Sequence, residues 1–304
     1  MYSLSTCWNS HRHTDGRAML REIRKLGFEY AELSHGIRIS LLPGIIEAVQ
    51  AGEIKISTLH NFCPLPMGVN YAAPNIFKFT ADDERERENA YRHSIKTIEL
   101  AAKLKASLVV LHMGRIRMSE HTSKLTDLLE KNMRYSEEYA NLCASCLEKR
   151  QALRDVALKR AAEMLTRLAD KAEEFGIRLG IENRERLEEI PLEEDFGMFL
   201  EEFNRPGVAY WHDCGHAQIK ENLGFLNHQI YLESMAPRLA GFHVHDVQPP
   251  THDHCEPGTG TVDFKMLKNF LRPDLIKVFE LSPHLKPEEV ERGRDYVFKV
   301  WGKE

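Results

Sequence analysis

Side chains able to bind a metal or move a proton recur at one end of the short apolar runs in this chain. KISTLH (55–60) closes on His60, SLVVLH (107–112) on His112, IRLGIE (177–182) on Glu182 and VAYWHD (208–213) on Asp213. His243 lies near the end of LAGFHVHD (239–246), and Glu280 near the end of LIKVFEL (275–281). A histidine in such a place is often a satisfied core residue. A carboxylate is harder to dismiss, because burying an unpaired charge costs several kcal/mol. Glu182, Asp213 and Glu280 gathered at one mouth would repel each other, and a divalent cation removes the conflict.

The local motifs sharpen the pattern. IENRER (181–186) places Glu185 and two arginines just after Glu182, and WHDCGHA (211–217) sets Asp213 and His216 three apart at a strand-to-helix turn. FHVHD (242–246) puts His243 and His245 on the same side of a strand, whose side chains alternate with period two. HDHCEPGTG (252–260) adds His252, Asp253 and His254 in the loop that follows.

These residues require a scaffold that brings strand ends together. Eight β-like runs alternate with helical patterns along the chain. The first four are 2–7, 28–33, 55–60 and 107–112; the last four are 177–182, 208–213, 239–246 and 275–281. Helices are expected near 15–26, 41–50, 81–105, 191–203, 215–236, 262–271 and 287–302. Repeated βα units with right-handed crossovers predict an α/β fold, a single (β/α)8 barrel over residues 1–304, whose active site is built at the C-terminal ends of the strands. The open doubly wound sheet is the competing architecture, but no G-x-G-x-x-G follows the first strand.

The fourth connection, residues 115–176, is long enough for two amphipathic helices, expected to break around Arg150 to Asp155. One carries Leu125, Leu128, Leu129 and Met133, the other Leu158, Met164, Leu165 and Leu168. This reads as a helical elaboration outside the barrel, with surface for a lid or for a second copy in a homo-oligomer.

Composition excludes several classes. The net charge of −5 offers no global field for nucleic acid or an anionic membrane. Six scattered cysteines form no disulfide framework, and Cys143 and Cys146 lie in a helical pattern where packing explains them. No run approaches transmembrane length, and MYSLSTCWNS lacks the regions of a signal peptide, so a cytoplasmic protein is expected.

The order Glu, Asp-x-x-His, His-x-His-Asp, Glu, running from IENR to VFEL, resembles the xylose-isomerase-like β/α barrels. That group includes sugar epimerases, isomerases and dehydratases, as well as apurinic-site endonucleases. Resemblance to the epimerase-like members implies one divalent ion held by Glu182, Asp213, His243 and Glu280. His243 fits their H-x-x-D placement better than His245. His216, Glu185, His60, His112 and His245 would then contact substrate or brace the ligands. Mn²⁺, Mg²⁺ or Co²⁺ suits a carboxylate-rich site with one imidazole. The substrate expected is a small sugar-like polyol. Glu182 and Glu280, facing each other across the mouth, would move a proton next to a carbonyl through a metal-stabilised enediolate.

The endonuclease members imply a rival reading, a three-zinc phosphodiesterase site that would also enlist His60, His112, His216, His252 and His254, with His252 standing where those enzymes carry aspartate. A histidine-rich multinuclear site favours Zn²⁺. The acidic net charge and the sparse arginines (Arg115, Arg117, Arg184, Arg186) weigh against nucleic acid as a partner.

Weaker signals remain. Trp8, Phe62, Trp211 and Phe242 could stack on a sugar or fill the barrel. Glu32 could position the histidines, and PLPMGVNYAAPN (64–75) reads as a loop over the mouth. Arg184 and Arg186 are expected to pair with Glu185, Glu188 and Glu189.

Overall fold

The computed structural model describes residues 1–200 and 204–303. Seven barrel strands come in chain order: β1 (Tyr2–Ser5), β2 (Tyr30–Leu33), β3 (Lys55–His60), β4 (Leu108–Leu111), β5 (Arg178–Glu182), β6 (Val208–Asp213) and β7 (Leu239–Val244). A short antiparallel pair, β8 (Asp246–Gln248) and β9 (His252–Cys255), precedes the last barrel strand, β10 (Ile276–Phe279). The barrel closes in the order β1-β10-β7-β6-β5-β4-β3-β2, with every pairing parallel. This is the (β/α)8 barrel expected from the alternation of runs.

Alternation along each strand feeds two separate cores. Leu108, Val110, Ala209, Trp211, Ala240, Ile276 and Val278 fill the interior of the barrel. Val109, Leu111, Tyr210 and Phe242 join the larger core between strands and helices. Trp211 forms the floor beneath the mouth, and glycine makes room for it on both neighbouring strands. A Cβ on Gly241 would lie 2.5 Å from Trp211 Cζ3, and one on Gly180 would lie 3.3 Å from Trp211 Cβ. Two residues beyond Gly180, Trp211, Gly241 and Val278 come Glu182, Asp213, His243 and Glu280. Period two therefore points all four the same way, one layer above the floor.

The helices are α1 (Gly16–Lys25), α2 (Leu42–Gln50), α3 (Glu84–Lys103), α4 (Thr122–Glu130), α5 (Glu137–Glu174), α6 (Phe196–Leu200), α7 (Cys214–Asn222), α8 (His228–Met235), α9 (Phe264–Lys268) and α10 (Pro287–Trp301). The fourth connection does hold two helices, but the break falls at residues 131–136 and α5 runs straight through Arg150 to Asp155. Asn132 takes a left-handed φ of 59°, and Ser136 caps the new helix by accepting the Tyr139 N–H. Arg150, placed by the sequence at the expected break, is 1% exposed; it donates to the carbonyls of Leu187 and Glu189 and pairs with Asp195. The long helix thus clamps the loop after β5. Cys146 is buried on the packing face of α5, with Cys143 one turn away.

Two other helical runs divide. Within 191–203, a 3-10 turn (Glu193–Asp195) leads into α6, and 201–203 lie outside the described residues. Within 215–236, α7 and α8 are separate, Asn227 capping the second by accepting the Ile230 N–H. The seventh strand ends at Val244, because Asp246 turns outward to accept N–H groups from Val247, Gly258, Gly260 and Val262, which closes the loop over β8 and β9. No helix among the described residues is long and apolar enough to cross a membrane.

Candidate metal centre and substrate pocket

At the C-terminal mouth, Glu182, Asp213, His243 and Glu280 each offer one donor atom, all within 4.8 Å of one another. His243 Nδ1 lies 2.8 Å from Glu182 Oε1, 3.0 Å from Glu280 Oε2 and 3.6 Å from Asp213 Oδ2. None of the four is more than 4% exposed. Burial by itself disfavours a charged imidazole, but Glu280, Glu32 and Glu182 outweigh it and hold the His243 pKa well above its usual range. A proton on His243 therefore occupies the charge position that a cation would take. Three carboxylates and one imidazole converging this closely fit a divalent ion.

The donors are held from behind. His243 Nε2 lies 3.2 Å from Glu32 Oε2, which also accepts from Thr58 Oγ1 at 2.8 Å. Glu32, at the end of β2, is thus the carboxylate partner of the imidazole's far nitrogen. Asp213 caps α7 by accepting the His216 N–H at 2.7 Å, and His245 Nε2 lies 3.0 Å from its Oδ1. Asn183 brackets the Asp213 backbone, donating to its carbonyl at 3.0 Å and accepting its N–H at 2.7 Å. Nothing in the sequence marks the Asn of IENR for this role, because its partner lies across the β5–β6 pairing.

The remaining histidines divide into groups. His60 and His112 meet Glu182 in a second set of candidate donors, and His216 meets Glu185 and Asp253 in a third. His35, His60 and Glu280 form a fourth. His252 is exposed on β9 and joins no group among the described residues. His254 also joins none; its Nδ1 is 2.8 Å from the Glu280 carbonyl. His245 is fully buried behind Asp213, with Nδ1 accepting the His254 N–H at 3.0 Å. Nothing in the sequence singled out His35, which lies beyond β2 rather than on a strand.

Arg184 turns inward. Its Nη1 donates to His112 Nε2 at 2.7 Å and to Glu182 Oε2 at 3.1 Å, and its Nη2 is 3.4 Å from Glu189. Burial and the Arg184 charge push the His112 pKa well down, against the pull of Glu182, whose Oε2 lies 2.7 Å from His112 Nε2. Of the acidic partners expected for the two arginines, Arg184 takes Glu189 and Arg186 takes Glu185. Glu188 instead accepts from Thr122.

A cavity of about 270 Å³ opens beside this cluster, lined by His35, Arg38, Asn70, Tyr71, His254 and Glu280 among others. Residues 64–75 supply part of its wall, and Asn75 Oδ1 reaches His112 Nδ1 at 3.1 Å. A larger groove of about 700 Å³ between residues 78–86 and α5 lies away from these donors. Trp8, Phe62, Trp211 and Phe242 are at most 2% exposed and belong to the cores rather than to the pocket wall.

Residues 20–296 match the sequence pattern of the xylose isomerase-like TIM barrels. The chain belongs to that family. Solved structures with the same fold include a D-tagatose 3-epimerase-like protein (16% identity, TM-score 0.71, covering 98% of this chain and 96% of that one). Another is 3-keto-D-glucoside 4-epimerase from E. coli (14%, 0.68, 98% of each). A third is IOLI protein with a bound zinc atom (16%, 0.66, 99% and 98%). At these identities the likeness is one of fold. A comparison with curated protein sequences found no match. Within the family, the four-residue cluster sits at the strand ends where a barrel presents its chemistry.

Proposed function

We propose that this member of the family is a divalent-metal-dependent isomerase or epimerase acting on a sugar or sugar-like polyol. The observation that carries the reading is the buried quartet of Glu182, Asp213, His243 and Glu280 beside a small cavity. These four residues would hold Mn²⁺, Mg²⁺ or Co²⁺, which supplies positive charge against the negative charge that develops on substrate oxygens. Glu280 lines the cavity and so reaches the substrate directly. It is the group suited to take a proton from the carbon next to a carbonyl, with Glu182 as its counterpart for proton return. His216 and Glu185 stand beside the quartet as substrate contacts. The cavity's size favours a small molecule, since sites for such ligands are concave and largely enclosed. The epimerase names among the structures of the same fold agree with this reading.

The additional His and carboxylate groups around His60, His112 and His216 favour a second reading, a multi-zinc phosphodiesterase. The exposed position of His252 and the guanidinium beside both His112 and Glu182 weigh against it.

The test is solvent exchange. Incubated with Mn²⁺ and a panel of ketoses in D₂O, the protein should wash deuterium into the substrate carbon next to the carbonyl. Glu182→Gln and Glu280→Gln should each slow this by roughly 10² or more. No exchange with any ketose, together with incision of an abasic-site duplex in Zn²⁺, would replace the proposal with the second reading.

A further inference from the structure

We propose that the mouth holds a second metal site, separate from the quartet, in which His35, His60 and Glu280 bind Zn²⁺. Their donor atoms lie within 4.8 Å of one another. The His35 and His60 rings are 4.8 Å apart between centroids and nearly perpendicular, at 81°. His60 Nδ1 donates to the Asn61 carbonyl at 2.9 Å, which leaves Nε2, 3.5 Å from Glu182 Oε2, as the nitrogen that a metal would take in place of a proton. His35 Nδ1 is buried without a hydrogen-bond partner among the described residues, and an orphaned buried nitrogen calls for a partner of some kind. Glu280 belongs both to this group and to the quartet. Having two carboxylate oxygens, it can serve both as a bridge.

A competing corner exists. His60, His112 and Glu182 are equally close together, but Arg184 already brings a cation there, within 2.7 Å of His112 Nε2 and 3.1 Å of Glu182 Oε2. Arg184 is 6% exposed and also tied to Glu189, so an ion in that corner would have to expel a buried guanidinium. The His35 corner carries no such occupant. It also opens on the 270 Å³ cavity, whose lining includes both His35 and Glu280. Two imidazoles and a carboxylate are a zinc-type donor set that leaves one position open. That position faces the cavity, and the ligand class it selects is an oxygen donor, a hydroxyl or an anionic oxygen of the bound molecule. This goes beyond the proposed function, which rests on the quartet alone and needs one ion.

The experiment uses the full chain, stripped of metal and then equilibrated with Zn²⁺ under a weak competing chelator. Stoichiometry is read by elemental analysis, and positions by anomalous diffraction at the zinc edge. The wild type should retain two ions per chain, one in the quartet and one between His35, His60 and Glu280. His35→Ala should lose one equivalent and keep the quartet peak, and Asp213→Asn should weaken the quartet peak and keep the other. One ion per chain, in the quartet, would overturn this inference and leave the proposed function standing. So would a second ion in the Arg184 corner, or His35→Ala retaining both ions. An empty quartet would defeat the proposed function instead. The wild-type diffraction map decides the matter even if a variant fails to fold.

Discussion

Replacing Glu32 with glutamine isolates what the buried carboxylate behind His243 contributes. Glu32 is fully buried, and its Oε2 is 3.2 Å from His243 Nε2, the nitrogen facing away from Glu182 and Glu280. Partners of this kind fix a ligating imidazole's tautomer and raise its basicity, and losing one typically costs 10–100-fold in metal affinity. Glutamine keeps the shape and an acceptor oxygen, so the low end, about tenfold or about 1.4 kcal/mol, is expected. A second effect opposes the first. Without metal, Glu32 helps hold His243 protonated, and that proton must leave before an ion can bind. Glu32→Gln lowers the His243 pKa and relieves this competition. The competition vanishes at alkaline pH, where the imidazole is neutral in both proteins, and it matters most as pH falls. The ratio of wild-type to variant affinity should therefore grow with pH, approaching about tenfold at the alkaline end. Isothermal titration with Mn²⁺ across pH measures it, with thermal melts of the metal-free proteins as the control for folding. A ratio that stays flat with pH, or equal affinities at alkaline pH, would refute the reasoning that Glu32 acts through His243.

Two further substitutions probe the scaffold. Gly241→Ala would place a Cβ 2.5 Å from Trp211 Cζ3, so overpacking of about 1–3 kcal/mol is expected in chemical denaturation, with weaker metal binding because His243 lies two residues further on. Unchanged stability would mean that the barrel floor has slack. Arg150→Met would strip Asp195 of its buried partner and leave it only Arg154, 3.5 Å away, and the Leu192 N–H, so a loss at the low end of the range for a broken buried pair, about 3 kcal/mol, is expected, and adding Asp195→Leu should recover part of it. A double variant no more stable than the single one would show that the clamp depends on the carbonyl hydrogen bonds instead.

The sequence alone was enough to place the barrel and to bring its candidate donors to one mouth. Apolar runs ending in Glu182, Asp213, His243 and Glu280 fixed both the strands and the direction of those side chains, because alternation with period two allows an inward residue no other heading. A buried parallel strand also needs a continuous apolar run, which few other elements require. Tertiary structure decided what local pattern cannot encode. Arg150 looks like a solvated charge within its own helix, and its burial depends on carbonyls and a carboxylate some forty residues away. Arg184 has acidic neighbours in sequence, yet its place beside His112 and Glu182 is set by where β4 and β5 bring those groups together. His35 lies beyond the end of β2, where no periodicity governs the direction of a side chain. Its approach to His60 and Glu280 follows from closure of the barrel, which brings the ends of β2, β3 and β10 to one mouth.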